Sequence, residues 1–362
     1  MNARERFLAA GRWGHSMRPL PLVALLLAAC ARASVPAENK PQSPSTSASS
    51  TAPVHDAVLE AALQKIAAAF DAKVAVSVLH LGTGARASVH GDARMPLMSV
   101  FKLPLSVVAL SMVEEGRYRL AQPIPISESE LRPGVSPIAE AWQKGEHSPT
   151  LETLLVRVLQ DSDNTAGDKL VSLEGGGAAI TTRLQNMNLR GIDIAEQEIE
   201  IFARTHCPGV APPSTGWTFP LIDACPKPSA AAQRAAVEHE IDASPNAATT
   251  DALVDLLAAL DRGYALNSSS RAWLQQTMAG TNTGSGRLKA GLPSGTRIEH
   301  KTGTGDTLLG VNIATNDVGV ITLPNGDRFA IAVLIAGAHH EVPQCESVIA
   351  AMAKVSWDRF LR

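Results

Sequence analysis

The sequence predicts an α+β fold: an antiparallel sheet flanked by helices, with an all-helical lobe inserted into it. Two observations carry this. Val- and Ile-rich strand patterns sit near both ends of the folded part, and the long stretch between them is mainly helical. Strands from the two ends can meet in one sheet, which leaves the middle as an inserted lobe.

Residues 1–30 read as a targeting segment. Arg4, Arg6, Arg12 and Arg18 form a basic lead, and an apolar run follows from Pro21 to Leu27. Met17 is an alternative start. The run is too short to remain as a membrane-spanning helix. It ends in Leu27-Ala28-Ala29-Cys30, which resembles a bacterial lipobox with Cys30 as the acylated residue. A plain signal peptide is the other reading. A lipid on Cys30 would hold the mature protein on a membrane, the outer membrane favoured, without crossing it. Residues 31–54 are rich in Ser, Ala, Pro and Thr. With so little apolar bulk they are expected to be a disordered tether.

The folded part is expected over residues 55–362. His55 to Phe70 carries Leu59, Leu63, Ile66 and Phe70 at helical spacing. Val74 to Leu79 and Ala85 to His90 read as strands around a Gly82-Thr83-Gly84 turn. The helical lobe is placed at about residues 96–265. Within it, Pro208 to Ala236 is read as low-order chain, part of an extended loop at about 203–237. Strands follow at Asn312 to Val320 and Asp327 to Ala336, joined through Asn325-Gly326, a strong hairpin signal. Glu346 to Leu361 closes the chain as a helix.

The 32 Lys and Arg against 35 Asp and Glu are spread along the chain, which argues against a nucleic-acid partner. Export implies an oxidising compartment, the periplasm. Cys207 and Cys225 flank a loop-like stretch and are the expected disulfide, leaving Cys345 over. Three free thiols are the alternative. The histidines form no His-x-x-x-His set beside an acid, so no metal and no cofactor are expected.

Three short motifs carry chemistry. In Ser99-Val100-Phe101-Lys102, Lys102 lies one turn beyond Ser99 and is the only charge between Pro96 and Val113. Loss of hydration favours its neutral amine, which can take the serine proton. The bland alternative is Ser99 as a helix cap and Lys102 reaching solvent. Ser162-Asp163-Asn164 is either a turn and cap cluster or a polar loop. In the second case Ser162 can pass a proton and Asn164 can bind an amide. Lys301-Thr302-Gly303-Thr304 ends a strand and suits a substrate carboxylate, with Gly303 allowing close approach of a ligand.

In this order the trio resembles class A serine β-lactamases and penicillin-binding proteins, over essentially all of residues 54–362. The extended-spectrum β-lactamase subgroup is the nearer likeness. The resemblance implies β-lactam small molecules as partners, a monomer, and β-lactam resistance through an acyl-serine intermediate. It implies Ser99 as nucleophile, Lys102, a glutamate or both as the base that deprotonates it, and Ser162 as proton donor. Asn164, Lys301, Thr302, Gly303, Thr304 and Arg287 would bind substrate, Arg287 replacing a strand arginine whose position falls at Gly310. The family's water-activating glutamate falls at Glu198, with Glu196 and Glu200 as rivals. The sequence departs from the family at Phe202, where an asparagine holds the hydrolytic water, at Glu196, where an arginine is common, and in an insertion of roughly thirty residues. Phe202 keeps a second reading open, a D-Ala-D-Ala peptidase with slow deacylation. A third is a non-catalytic lipoprotein that binds the cell wall.

Overall fold

A computed structural model describes residues 54–362; Cys30, the targeting segment and nearly all of the tether lie outside the described residues. The chain enters through helix α1 (Ala57–Ala68), capped by Asp56, whose carboxylate accepts from the Leu59 amide. Strands β1 (Lys73–His80) and β2 (Ala85–Val89) form the first hairpin. Strands β3 (Ile298–Thr304), β4 (Val311–Thr322) and β5 (Arg328–Ala338) come from the other end of the chain. The sheet order is β2-β1-β5-β4-β3, with every neighbouring pair antiparallel. Among the described residues, only the two-residue strand Val54–His55 adds a parallel pairing, on β2.

Both faces of the sheet are covered. In β5, Ala330, Ala332, Leu334 and Ala336 face the helical lobe, while Phe329, Ile331, Val333 and Ile335 face α1 and the last helix. Alternation along the strand sends successive side chains to opposite faces, so one register places both sets. Asn325 and Gly326 turn the β4–β5 hairpin, with Gly326 at φ 89°.

Between β2 and β3 lie the helices of the lobe. They include α2 (Lys102–Glu114), α3 (Leu151–Gln160), α4 (Asn164–Leu173), α5 (Glu198–His206), α6 (Ala230–Ala243), α7 (Thr250–Arg262) and α8 (Ser268–Ala279). Residues 102–110 of α2 are buried all round, the behaviour of a helix at the centre of a core. Helix α9 (Val342–Phe360) covers the far face of the sheet and starts four residues earlier than its periodicity suggests.

Two readings of the sequence need correction. The Ala-rich end of the stretch read as low-order is helix α6, capped by Ser229 and anchored through Ala236, Val237 and Ile241. Alanine's helix propensity outweighs the prolines before it. Gly310 is not a strand position: it lies at φ 77° in the turn before β4.

Candidate active site

The trio converges at the junction of lobe and sheet. Ser99 lies on a 3-10 turn, Met98–Phe101, that leads into α2. Met98 sits at φ 43°, a conformation held by its surroundings. The Ser99 hydroxyl caps no helix end; it donates to Glu198 Oε1 at 2.9 Å. Lys102, fully buried, places Nζ 3.0 Å from Ser99 Oγ and 2.9 Å from Glu198 Oε1. It also donates to Ser162 O at 2.8 Å and Asn164 Oδ1 at 2.7 Å. A lysine reaching solvent is therefore excluded. Its neighbours are all acceptors, one of them a carboxylate, rather than the apolar wall the sequence suggests. Gly167 leaves room for it, since a Cβ there would stand 3.0 Å from Lys102 Cε.

Ser162-Asp163-Asn164 divides its labour. Asp163 caps α4 through the Ala166 amide and accepts from the Ile138 amide. Ser162, at φ 62°, turns its hydroxyl toward Lys301, whose Nζ donates to it at 2.9 Å. Asn164 is fixed from the other side by donation to Pro133 O.

Strand β3 forms the opposite wall as an edge of the sheet, yet Lys301 is fully buried. Burial and the nearby Lys102 charge push its ammonium well below the ordinary lysine value, with Glu198 and Asp317 opposing. Gly303 has a tighter reason than ligand approach: a Cβ there would meet Leu97 O at 2.6 Å and Ser99 N at 3.2 Å. The strand abuts the turn that carries Ser99. Arg287 lies behind it, 4% exposed, donating to Gly303 O, Asn316 O and Thr304 Oγ1. Glu346 holds its Nε.

Glu198 is the glutamate that reaches Ser99. Glu196 pairs with Arg204, and Glu200 caps its own helix through the Gln197 amide. Burial would raise the Glu198 carboxyl. The Lys102 charge, the hydrogen bonds from Lys102 and Ser99, and the Lys301 charge outweigh burial and hold it below the ordinary value. Cys207, at the end of α5, is disulfide-bonded to Cys225, and Cys345 is a buried free thiol. The excursion that carries them closes at Asn246, whose amide accepts from Ala195 N and Glu196 N and donates to Glu196 O.

Several contributors escaped the sequence reading. Asp168 accepts from the Glu198 and Ile199 amides and from Arg132 Nε at 2.6 Å. Burial pushes its carboxyl up to about 6, Arg132 opposing. Thr283 pairs its hydroxyl with that of Thr302. Asn316 ties β4 to Pro96 O and Leu97 O. Asp168 lies one turn beyond Asn164 on α4, the one signal that could have found it.

Fold and cleft together define a serine hydrolase working by acyl transfer. The chain belongs to the β-lactamase enzyme family, whose description matches residues 58–360, and it is a class A serine β-lactamase. It is 28% identical over 300 residues to β-lactamase VEB-1 of Pseudomonas aeruginosa, covering 83% of this chain and 89% of that one. It is 28% identical over 265 residues to extended-spectrum β-lactamase PER-1 of the same organism, covering 73% and 75%. Among solved structures, a β-lactamase from Chitinophaga pinensis superposes with a TM-score of 0.70 at 28% identity, over 84% of this chain and 99% of that one.

Proposed function

We propose that Ser99 is the nucleophile in β-lactam hydrolysis, the activity of the family, and that Glu198 serves both halves of the reaction. The observation that carries this is the triangle of Ser99 Oγ, Lys102 Nζ and Glu198 Oε1, every side 3.0 Å or less. Glu198 accepts the hydroxyl proton as Ser99 attacks the lactam carbonyl, with Lys102 steadying the developing charge. The Ser99 and Thr304 amides form the oxyanion hole, where one donor is commonly worth about 3 kcal/mol. Ser162 protonates the departing lactam nitrogen. Lys301, whose Nζ donates to the Ser162 hydroxyl, resupplies it. The substrate carboxylate rests on the Thr302 and Thr304 hydroxyls, backed by Arg287 and beside Lys301. Gly303 keeps the strand against the nucleophile, and Asn164 takes the substrate amide. Glu198 then activates water against the acyl-enzyme.

An extended-spectrum substrate range, a monomer, export to the periplasm and a lipid on Cys30 complete the reading. The lipobox-like Leu27-Ala28-Ala29-Cys30 supports the anchor. Residues 31–54 serve as its tether, and residues 55–362 as the catalytic unit. Phe202 favours the slow-deacylating peptidase reading, and the gapless reach of Glu198 opposes it.

The test is turnover of a chromogenic cephalosporin with intact mass in parallel. The wild type should turn over many times. Ser99→Ala should form no adduct, and Glu198→Gln should acylate far more slowly than wild type and then keep the acyl group on Ser99. A wild type that stops after one stoichiometric burst would move the protein to the peptidase reading.

A further inference from the structure

The water that deacylates a serine ester needs a second holder besides its base, because a single hydrogen bond does not fix its line of attack. One turn beyond Glu198 on α5 stands Phe202, which lines the cleft and cannot hydrogen-bond. Its ring stacks on His206 with centroids 3.7 Å apart. On this side of the cleft, α5 and the insertion contribute the polar side chains Glu198, Thr205 and Glu240 among the described residues. Thr205 spends its hydroxyl on the Phe202 carbonyl and on His206.

Glu240 is different. It stands on α6, within the segment the insertion adds, and its side chain is fully buried while lining the same cavity of about 330 Å³ as Ser99 and Glu198. Its Oε1 accepts from Ser244 Oγ. Its Oε2 has no hydrogen-bond partner, the nearest cation being Arg204 Nε at 3.6 Å. Arg204 also pairs with Glu196. A buried acceptor without a partner is costly, so an unfilled one beside a hydrolytic site asks for a ligand.

The geometry points to Glu240 as the second group that holds the deacylating water beside Glu198, in the role that the Phe202 ring cannot fill. The insertion thus returns by a different helix the hydrogen-bonding group its own α5 lacks. Burial pushes the Glu240 carboxyl up, the Ser244 hydrogen bond and the Arg204 charge opposing, and the Glu198 charge adds to the rise. A side-chain amide of the same length keeps an acceptor oxygen at this place. The two carboxyls that share the cleft are shifted in opposite directions. In the step itself, the water oxygen bonds to the acyl carbon and Glu198 takes a water proton. The ester bond to Ser99 Oγ breaks, and that proton restores the hydroxyl.

The proposal rests on Glu198 as base, and the experiment separates the two. Pre-steady-state kinetics with a chromogenic cephalosporin read acylation from the burst and deacylation from the steady rate. Glu240→Ala should keep a full burst with an acylation rate within about threefold of wild type, while steady turnover falls about 100-fold and intact mass shows trapped adduct. Glu240→Gln should stay within about tenfold, since an amide also donates and accepts. Phe202→Asn added to Glu240→Ala should recover about tenfold or more. Unchanged turnover in Glu240→Ala overturns the proposal. So does an equal loss of burst and turnover in Glu240→Ala and Glu240→Gln alike, the mark of a structural partner for Arg204. Failure of Phe202→Asn to rescue while the burst is intact overturns it too. A Glu198→Gln enzyme that still deacylates would instead overturn the assignment of the base.

Discussion

Replacing Glu174 with leucine should stabilise this protein, and by more at alkaline pH than at acid pH. Glu174 follows α4, is 5% exposed, and neither carboxyl oxygen has a hydrogen-bond partner. The nearest countercharge, Arg183, is held by Glu115 at 3.0 and 3.1 Å. Burial therefore raises the Glu174 carboxyl well above the ordinary value, with Arg183 opposing. Leucine is of similar volume and removes an unsatisfied buried group whose cost is about 1–3 kcal/mol. The pH dependence has a definite sign. Above the unfolded carboxyl's pKa the folded chain holds a proton that the unfolded chain has released. Folded stability therefore falls as pH rises, by about 1.4 kcal/mol per unit, until the folded carboxyl ionises. Urea unfolding at pH 5 and pH 8 measures this directly. Glu174→Leu should gain about 1–3 kcal/mol at pH 5 and more at pH 8. Glu174→Gln keeps the unpartnered atoms but not the titration, so its difference from Glu174→Leu should be the same at both pH values. A Glu174→Leu protein no more stable than wild type at pH 8, or a gain that does not grow with pH, would refute the reasoning.

Three further outcomes are expected. Gly303→Ala should slow acylation about 100-fold or more in single-turnover assays, because its Cβ would meet Leu97 O at 2.6 Å and push β3 from Ser99. Replacing Cys207 and Cys225 by serine removes a bridge across 18 residues. By chain entropy this should cost about 3 kcal/mol of unfolding free energy, read by urea titration, and reductant on the wild type should match it. Asp168, pushed up to about 6, accepts from the Glu198 amide as a carboxylate. As pH falls through about 6 it gains a proton and that hold weakens, so wild-type kcat should drop there. Asp168→Asn, neutral throughout, should show no such inflection in a pH–rate profile.

What the sequence determined by itself was whatever depends on short spacing. Alternation in Phe329–Ala336 determined which side chains face each side of β5, because successive strand residues point to opposite faces. Asn325-Gly326 set the hairpin, because the turn needs a residue that accepts positive φ. Ser99 and Lys102, three residues apart, had to share a helix face. The three motifs, read together, named the chemistry. The tertiary structure alone decided what lies across the cleft. Glu198 is 99 residues from Ser99, and only its contact with Ser99 separates it from Glu196 and Glu200. Lys301 reaches Ser162 over 139 residues, and Asn316 reaches Pro96 over 220. Asp168 looks like any helix residue until α5 arrives and its amides need an acceptor. The Ala-rich run after the prolines forms a helix by its own propensity, but only packing decided that this helix brings Glu240 into the cleft. Local geometry follows from covalent spacing and backbone sterics. A site assembled from both ends of the chain and an inserted lobe follows from how those pieces bury one another, which no local pattern encodes.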